Sequence, residues 1–407
     1  MLYLSLLLIS VALWITIDLS YGRLLHLKRV SSRTFPLRQS DFHLYTYGKD
    51  LYDALFTDIK QAQHHIHILF FIVKNDKISR EFLKLLIDKA QEGIEVRLLL
   101  DRFGSHSLSN EAIRSLQKHG VSFSFCHKVK FPLPFFSANQ RNHRKITVID
   151  GKTGYIGGFN IGEEYLGHNE YLGLWRDYHL RLTGEGVQDL QKQFLHDWFD
   201  DTKQNLLDAS LYFPKQNPGT ILHQFIPTDG AYLQHTFLHL INAAKKEICI
   251  GTPYFIPGKK IMNALLKAKE RGVQITILVP EKADHPLVRE AKFPYCRKLI
   301  QAGCNIYAFQ QGFFHAKIII VDDDICDIGT ANFDMRSLYI NHEINCLLYI
   351  NHEINCLLYN KHFIQTVKKK FHEDLENASV LSYSDVNPPS LIDRGKEWIG
   401  TMFAFFL

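Results

Sequence analysis

Stretches with helical periodicity alternate with short apolar runs along most of the chain, and the same order occurs twice. In the first half, the helical stretch 78–91 leads through a glycine into the apolar run 94–101. In the second half, the helical stretch 261–271 leads through a glycine into the apolar run 273–280. Each set is typical of a helix, its end and a buried strand. The pattern predicts an α/β fold with two tandem lobes, each a mixed sheet flanked by helices.

A polar, proline-containing segment between residues 201 and 219 separates the two halves. We therefore expect one lobe over residues 40–205 and the other over residues 215–405. The chain of 407 residues is long enough for each lobe to bury a core of its own.

The first 17 residues contain no charged side chain, which is close to the shortest length that spans a membrane as a helix. A cleaved signal peptide is disfavoured, because neither a basic start nor a small-residue cleavage site is present. Four basic residues follow the apolar run instead, namely Arg23, Lys28, Arg29 and Arg33. We predict a transmembrane anchor over residues 1–22 and a single-pass protein of the cell membrane with the rest of the chain in the cytoplasm. A buried helix of a soluble domain is the alternative.

Composition narrows the function only slightly. The net charge of +5 gives weak support to a polyanionic partner, and an apolar fraction of 46% excludes a disordered chain. The seven cysteines are odd in number and lack C-x-x-C spacing. We therefore predict reduced thiols, with neither a disulfide framework nor a zinc site.

Two segments of the chain carry the same set of polar residues at the same spacing. In each segment, a lysine lies two residues after a histidine, an aspartate lies seven residues after that histidine, and an asparagine lies 17 residues after it. The candidate residues are His143, Lys145, Asp150 and Asn160 in the first segment, and His315, Lys317, Asp322 and Asn332 in the second. One such match arises by chance, but two in equivalent places of a repeated chain indicate a shared site.

Strand geometry explains why these residue types belong together. Residues two apart project from the same face of a strand, so His143 and Lys145 point together. A turn that places Asp150 opposite Tyr155 would bring Asn160 back opposite Lys145. Lysine and asparagine would then donate to the non-bridging oxygens of a phosphoryl group, and we predict neither a metal nor another cofactor. Asp150 and its counterpart are equally compatible with ordinary turn formation.

The paired segments resemble the two HKD motifs of the phospholipase D superfamily, and further segments resemble bacterial cardiolipin synthases. These segments are residues 142–160, 161–167, 175–177, 252–257 and 329–345. The resemblance covers residues 40–405. The single short anchor is similar to that of the minor cardiolipin synthases of Gram-positive bacteria.

The resemblance implies a phosphatidyltransferase that converts two phosphatidylglycerol molecules into cardiolipin and glycerol through a phosphohistidine. By similarity, His143 is the nucleophile and His315 the general acid and base. Asp177 and Glu343 match the positions of the acids that orient the two imidazoles, and Asn160 and Asn332 are expected to bind phosphate. Phosphatidylglycerol and membrane lipid are thus the expected partners. A nucleic acid is disfavoured, because no basic stripe is interleaved with aromatic residues.

The same histidine pair also serves other reactions, so a membrane-anchored phosphodiesterase acting on lipid or nucleic acid is the alternative. A non-catalytic scaffold ranks third, since both motifs are intact. The aromatic run 131–136 is interpreted either as an acyl-chain entrance or as core, and so are Phe309, Phe313 and Phe314. Basic residues near that run suit an anionic lipid, namely Lys128, Lys130, Arg141 and Arg144.

Residues 340–349 are repeated without change as residues 350–359. A shift of ten residues presents the same side chains to the same face of a strand, so only one copy can occupy the native position. We interpret the duplication as a recent event rather than a functional device. Glu343 lies in the first copy, and Glu353 has no counterpart in the family pattern; it takes over that role only if the second copy displaces the first.

Overall fold

The computed structural model describes residues 2–349, 357–387 and 390–404. It begins with α1 (Leu2–Arg29), a helix whose apolar side chains are mostly exposed. The mean hydropathy of its most apolar window is 1.9, and only 6% of that window is buried. By length and composition, α1 can therefore cross a membrane, and the alternative of a buried core helix does not hold. The helix also continues beyond residue 22, where the predicted anchor ends.

The first half of the chain forms one half of a mixed sheet. Its strands are β1 (Arg38–Tyr47), β2 (His65–Phe70), β3 (Glu95–Asp101), β4 (Ser122–Cys126), β5 (Ile146–Ile149), β6 (Thr153–Gly157) and β7 (Leu174–Gly184). Their order across the sheet is β4-β3-β2-β5-β6-β7-β1. The strands β2, β3 and β4 are parallel, whereas the other neighbouring pairs are antiparallel.

The second half repeats this arrangement. Its strands are β8 (Ile221–Asp229), β9 (Glu247–Gly251), β10 (Gln274–Pro280), β11 (Asn305–Phe309), β12 (Gly312–Phe314), β13 (Ile318–Val321), β14 (Ile325–Gly329), β15 (His342–Tyr349) and β16 (Ala378–Val380). The order β8-β15-β14-β13-β9-β10-β11 matches that of the first half strand by strand, with β16 added at the edge. Because β1 pairs with β8, the two halves form one continuous sheet. In addition, β12 pairs with β7 across the halves.

Helices cover both faces of the sheet. They are α2 (Gly48–Lys60), α3 (Lys77–Gln91), α4 (Asn110–Lys118), α5 (Pro134–Asn139), α6 (Gly186–Thr202), α7 (Leu233–Ala243), α8 (Gly258–Glu270), α9 (Val288–Gln301), α10 (Met335–Tyr339), α11 (Leu357–Glu376) and α12 (Leu391–Met402), with 3₁₀ turns at Glu163–Leu166 and Ser210–Tyr212. The predicted α/β fold with two repeated lobes is confirmed, and α3 and α8 are the helices that the periodicity predicts. We propose the lobe boundaries 40–205 and 215–405, because the chain passes from the first half to the second between α6 and β8.

The core explains why the two halves hold a fixed relative position. One large apolar cluster contains side chains of both halves, among them Leu182 from β7 and Phe225 from β8. Two further clusters lie on the α2–α3 side of the first half and on the α7–α8 side of the second. Burial of one shared cluster opposes separation of the halves. Strands that carry equivalent motifs are thus fixed relative to each other.

Candidate active site

The two motif histidines line one cleft at the junction of the halves. His143 immediately precedes the segment that leads into β5, and His315 stands in the equivalent place before β13. The cleft has a volume of about 620 Å³, and both imidazoles form part of its wall. Both side chains are largely buried, with 8% and 6% of the two residues exposed. The structure thus brings together two side chains that lie 172 positions apart in the chain.

The imidazole of His143 is held by groups from the second half. Its Nδ1 lies 2.9 Å from Oε2 of Glu343 on β15 and 3.0 Å from the carbonyl oxygen of Thr330. The carboxylate of Glu343 also accepts hydrogen bonds from the hydroxyls of Thr330 and Ser337, at 2.6 and 2.8 Å. These contacts fix the carboxylate, which in turn fixes the ring.

The imidazole of His315 is held by the first half. Its Nδ1 lies 2.5 Å from Oδ2 of Asp177 on β7, and that carboxylate also accepts the Tyr178 amide N–H at 2.7 Å. Nζ of Lys317 lies 2.6 Å from the same Nδ1 and 3.5 Å from Oδ2 of Asp177. We assign the Nδ1 proton to the bond with Asp177, so Lys317 acts mainly on that carboxylate. In both rings Nε2 is then the nitrogen left for a substrate.

Burial determines the protonation states in the cleft. Burial lowers the pKa of His143, although the negative charge of Glu343 raises it in part. Burial and the positive charge of Lys317 together lower the pKa of His315 to about 4. Burial raises the pKa of the Asp177 and Glu343 carboxyls, but the neighbouring cations outweigh it and the net shift is downward. At neutral pH the cleft therefore holds two neutral imidazoles, each beside an ionised carboxylate.

The two motif lysines differ in their contacts. Nζ of Lys145 donates to the carbonyl oxygen of His143 at 2.7 Å and lies 5.2 Å from the centre of the Phe71 ring. Nζ of Lys317 likewise donates to the carbonyl oxygen of His315, but it also contacts the imidazole of that residue. Burial lowers the pKa of Lys145 to about 7 and that of Lys317 to about 8. Both ammonium groups are thus close to losing their protons until an anion enters.

The predicted register of the first motif hairpin is wrong by three residues. Ile149 pairs with Thr153, so the position opposite Lys145 is Gly157 and not Asn160. Asp150 and Gly151 both have positive φ, and the Lys152 amide N–H donates to the Ile149 carbonyl, as in a type I′ turn, so three residues, 150–152, separate the paired strand ends. The Asp-Gly dipeptide is the signal for this turn, and it was available in the sequence.

Asn160 and Asn332 reach the cleft from loops that follow the hairpins. Both line the cleft and both are buried. Oδ1 of Asn160 accepts the Ile72 amide N–H at 3.0 Å, and Nδ2 donates to the Tyr165 hydroxyl at 3.3 Å. Oδ1 of Asn332 has no hydrogen-bond partner among the described residues.

Asp150 and Asp322 lie outside the cleft, and their assignment as catalytic residues does not fit this position. The carboxylate of Asp150 accepts the backbone N–H groups of residues 63, 64 and 65, at 2.7 to 3.0 Å. The carboxylate of Asp322 accepts those of residues 245, 246 and 247, at 2.7 to 2.9 Å. Each aspartate therefore joins a hairpin turn to the start of a neighbouring strand. The seven residues from histidine to aspartate span roughly 23 Å of extended chain, which removes the carboxylate from the imidazole.

Of the two groups of aromatic residues interpreted as an acyl-chain entrance or as core, the group that precedes the second motif belongs to the core. Phe309, Phe313 and Phe314 have at most 2% of their surface exposed, so they do not form an entrance. In the first group, Phe131 is 85% exposed and Phe136 is buried.

The four basic residues that were predicted to suit an anionic lipid lie in different parts of the structure. Arg144 is fully buried and forms ion pairs with Asp197 and Asp229, so it is not available to a lipid. Lys130 lines a separate cavity, and Lys128 is on the surface. Arg141 is the one of these four basic residues that lines the cleft.

Sequence reasoning did not assign several polar groups of the cleft. Thr330 and Ser337 hold Glu343, and Arg336, Tyr254 and Asp284 form part of the wall. Tyr254, Thr330, Arg336 and Ser337 lie in the segments that resemble the family, whereas Asp284 lies outside them, and the residue types alone assign none of the five a role. In the first half, the position equivalent to Thr330 is Gly158, where a Cβ atom would lie 2.0 Å from the Asp177 carboxylate. Glycine is therefore required at position 158, where the Asp177 carboxylate packs against the backbone.

The chain matches the family described as "Cardiolipin synthase, PLD-like domain" over residues 55–198 and 237–375. It is 42% identical over 393 residues to the minor cardiolipin synthase ClsB of Bacillus subtilis, covering 97% of this chain and 96% of that protein. It is also 38% identical to a cardiolipin synthase of Oceanobacillus iheyensis, covering 95% of this chain and 78% of that protein.

Among solved structures, the phosphatidylserine synthase of Haemophilus influenzae has the same fold, with a TM-score of 0.71 and 16% identity, covering 95% of this chain and 99% of that one. The family match extends over both lobes and contains both histidine motifs, and the relatives match nearly the full chain. The chain therefore belongs to the cardiolipin synthase family of phospholipase D-like enzymes.

Proposed function

We propose that this protein is a cardiolipin synthase that transfers a phosphatidyl group from one phosphatidylglycerol molecule to another and releases glycerol. The observation that carries the proposal is the pair of imidazoles in one cleft, each held through Nδ1 by a carboxylate of the opposite half. Two bases that can reach one phosphorus atom divide the roles of nucleophile and proton carrier. The printed names of the relatives support the same activity.

In the first step, Nε2 of His143 attacks the phosphorus atom of the donor lipid. A P–N bond forms, the bond from phosphorus to the glycerol oxygen breaks, and His315 gives its proton to that oxygen. In the protein alone, the pKa of His315 is about 4. A bound phosphodiester anion raises it and so favours the protonated form that this step needs.

In the second step, His315 takes the proton of a hydroxyl group on the second lipid. The resulting oxygen attacks phosphorus, the P–O bond of cardiolipin forms and the P–N bond to His143 breaks. Lys145, Lys317, Asn160 and Asn332 donate to the non-bridging oxygens in both steps. These donors would stabilise the charge that a cation neutralises in a metal-dependent enzyme, so we propose a reaction without a metal.

We further propose that α1 spans the cell membrane once and that the lobes lie on its cytoplasmic side. The Trp14 and Phe135 ring centres are 4.8 Å apart, and the buried carboxylate of Asp18 accepts the Phe136 amide N–H at 2.7 Å. The first turn of α5, and with it the end of the loop that precedes this helix, thus lies beside α1. The exposed Phe131 in this loop is suited to contact with lipid at that depth.

Product analysis of the full-length protein in detergent micelles tests the proposed reaction. Labelled phosphatidylglycerol should yield cardiolipin and free glycerol in equal amounts, with or without EDTA. Phosphatidic acid as the main product would indicate a hydrolase instead. Cleavage of DNA without any lipid product would indicate a nuclease, and activity that disappears in EDTA and returns with a divalent ion would contradict the metal-free reaction.

A further inference from the structure

We propose that α12 is an interfacial helix, whose apolar face lies in the membrane surface beside the catalytic cleft. The partner is a lipid bilayer with anionic headgroups. The proposal rests on the proposed membrane span of α1 and goes beyond it, because it adds a second contact with lipid from the second half of the chain.

The apolar side chains of α12 are on its exposed face. Successive residues of a helix are turned by about 100°, so the large apolar residues of α12 fall within one face roughly 120° wide. The helices that cover the sheet, such as α3 and α8, bury their apolar side chains instead. Among the described residues, no helix other than α1 and α12 exposes more than one large apolar side chain. The exposed residues of α12 are Leu391, Ile392, Trp398, Ile399 and Met402, with exposed fractions between 39% and 85%.

The opposite face of α12 holds the helix on α9. At Gly400, a Cβ atom would lie 3.1 Å from the Leu287 carbonyl oxygen and 3.2 Å from the Ala291 amide nitrogen, so the two backbones are in close contact. Glu397 on the same face forms an ion pair with Arg297, whose Nη1 donates to Oε2 at 2.9 Å. Small and polar groups thus fix the helix, and its apolar face is directed away from the protein.

The contacts of α12 place its end beside the cleft. Leu287 immediately precedes α9, whose first residue, Val288, lines the cleft. Ala404, which follows α12, belongs to an apolar cluster against which Met335 of α10 packs. The next residue of α10, Arg336, is part of the cleft wall as well. The end of α12 therefore adjoins the cleft wall at both α9 and α10.

The short helix α10 also relates α12 to α1. The centre of the Tyr339 ring, at the end of α10, lies 5.9 Å from the guanidinium carbon of Arg23. Arg23 is the first basic residue after the apolar run of α1, so it marks the level at which α1 would leave the bilayer. Because α10 has five residues, its two ends are roughly 6 Å apart. The end of α12 is thus close to the level of the lipid headgroups, where interfacial helices lie.

The charges on α12 fit an anionic surface. Arg394 and Lys396 are exposed and border the apolar face on its two sides. Nζ of Lys396 is 3.6 Å from Oδ1 of Asp393, and both side chains of this pair are about half exposed. A surface pair of this kind is weak, so lipid phosphates can compete for the ammonium group. Long basic side chains in this position reach the phosphates while the apolar side chains between them enter the acyl region.

Fluorescence quenching in lipid vesicles tests the position of α12. The full-length protein and Trp398→Phe are reconstituted into phosphatidylglycerol vesicles, with and without lipids brominated in the upper part of the acyl chains. The difference between the two proteins is the Trp398 emission. Brominated lipid should reduce it at least about twofold, because an interfacial helix buries its apolar face roughly 5–10 Å into the boundary between headgroups and acyl chains. An undiminished Trp398 emission would overturn the proposal.

Trp14 on α1 is the internal control, since it remains in Trp398→Phe. Quenching of Trp14 without quenching of Trp398 would contradict the position of α12 and leave the proposed span intact. An unquenched Trp14 would contradict the span itself, on which this proposal rests.

Substitutions on the apolar face separate a lipid partner from a second copy of this chain. Ile392→Asp combined with Ile399→Asp should abolish the quenching of Trp398, because carboxylates oppose insertion of that face. Leu211→Asp is the matched control and should leave it unchanged. Leu211 is 57% exposed, but its neighbour Tyr212 lies against the turn at Gly151, at the end of β5 remote from His143. An unquenched Trp398 together with a dimer in detergent that the paired substitutions dissociate would assign the face to a second copy and overturn the proposal.

Discussion

The two half-sites have the same four residue types at the same spacing, yet they are built differently. His143 is held by Glu343, and two hydroxyl groups fix that carboxylate. His315 is held by Asp177, beside a glycine and within reach of Lys317. In both cases the acid comes from the opposite half. A sequence repeat has therefore produced two half-sites that are each incomplete in their own lobe, and their different surroundings suit different roles.

The largest effect should come from removing either imidazole. His143→Ala and His315→Ala should each lower kcat for cardiolipin formation by about 10³-fold or more, since nucleophile and proton carrier act as a unit. Acid quenching of the reaction with labelled lipid traps any covalent phosphoenzyme and so distinguishes the roles of the two histidines. Only His315→Ala retains the group that forms the covalent phosphoenzyme. Labelled enzyme in His143→Ala but not in His315→Ala would reverse the assignment.

The next largest effect should come from neutralising the two acids that orient the imidazoles. Glu343→Gln and Asp177→Asn should each lower kcat by about 100-fold, because the rings lose the partner that fixes the Nδ1 proton. Thermal unfolding curves serve to verify that the variants are folded. Glu353→Gln, in the second copy of the duplicated segment, is the matched control and should have wild-type activity. A loss in Glu353→Gln that equals the loss in Glu343→Gln would contradict the position of the first copy on β15.

The low pKa of Lys145 should limit activity at alkaline pH. The pKa of Lys145 is about 7, so above pH 7 its protonated fraction falls by up to about tenfold per pH unit. The profile of kcat/KM against pH should therefore fall on its alkaline side. Arginine stays protonated, and Lys145→Arg should move this fall to higher pH. The same alkaline fall in both proteins would assign it to another group.

Asp150 and Asp322 should affect stability rather than chemistry. Asp150→Ala and Asp322→Ala each leave three backbone N–H groups without their acceptor, which should cost about 1–3 kcal/mol and lower the thermal midpoint. Activity per folded molecule should stay within about twofold of wild type, a range that corresponds to a small change in barrier.

The pH dependence of stability offers a second measurement at Asp322. Burial raises its pKa, but its three backbone donors bring it below the usual value. Its stabilising contribution is thus present above the unfolded-state pKa and is lost as pH falls through the folded value. A large loss of kcat in folded Asp322→Ala would restore the catalytic interpretation.

The smallest effect should come from deleting one copy of the duplicated segment; deletion of either copy gives the same sequence. Residues 350–356 lie outside the described part of the chain, but Asn360 already donates to the Tyr349 carbonyl and accepts the Leu222 amide N–H at 2.9 Å. The two ends that the deletion joins are therefore adjacent. Activity within about twofold of wild type is expected, because the deletion only shortens the connection between two positions that are already in contact. A loss of 100-fold would show that the second copy contributes to the site.

Much of the fold followed from local patterns in the sequence. The helices that became α3 and α8, the glycines that end them and the buried strands after them were predicted because periodicity is a property of neighbouring residues. The position of Asp150 was harder to predict. Turn formation was visible in its Asp-Gly pair, but its three amide partners belong to a segment more than eighty residues earlier.

The sequence by itself determined the internal repeat, the two motifs and the residue types that act on a phosphoryl group. Only the tertiary structure decided that Glu343 holds His143 while Asp177 holds His315. It also decided that Arg141 lies in the cleft while its neighbour Arg144 is buried behind it. The reason is physical: spacing along a strand sets which face a side chain shares, whereas its partners depend on how distant strands pair in one continuous sheet.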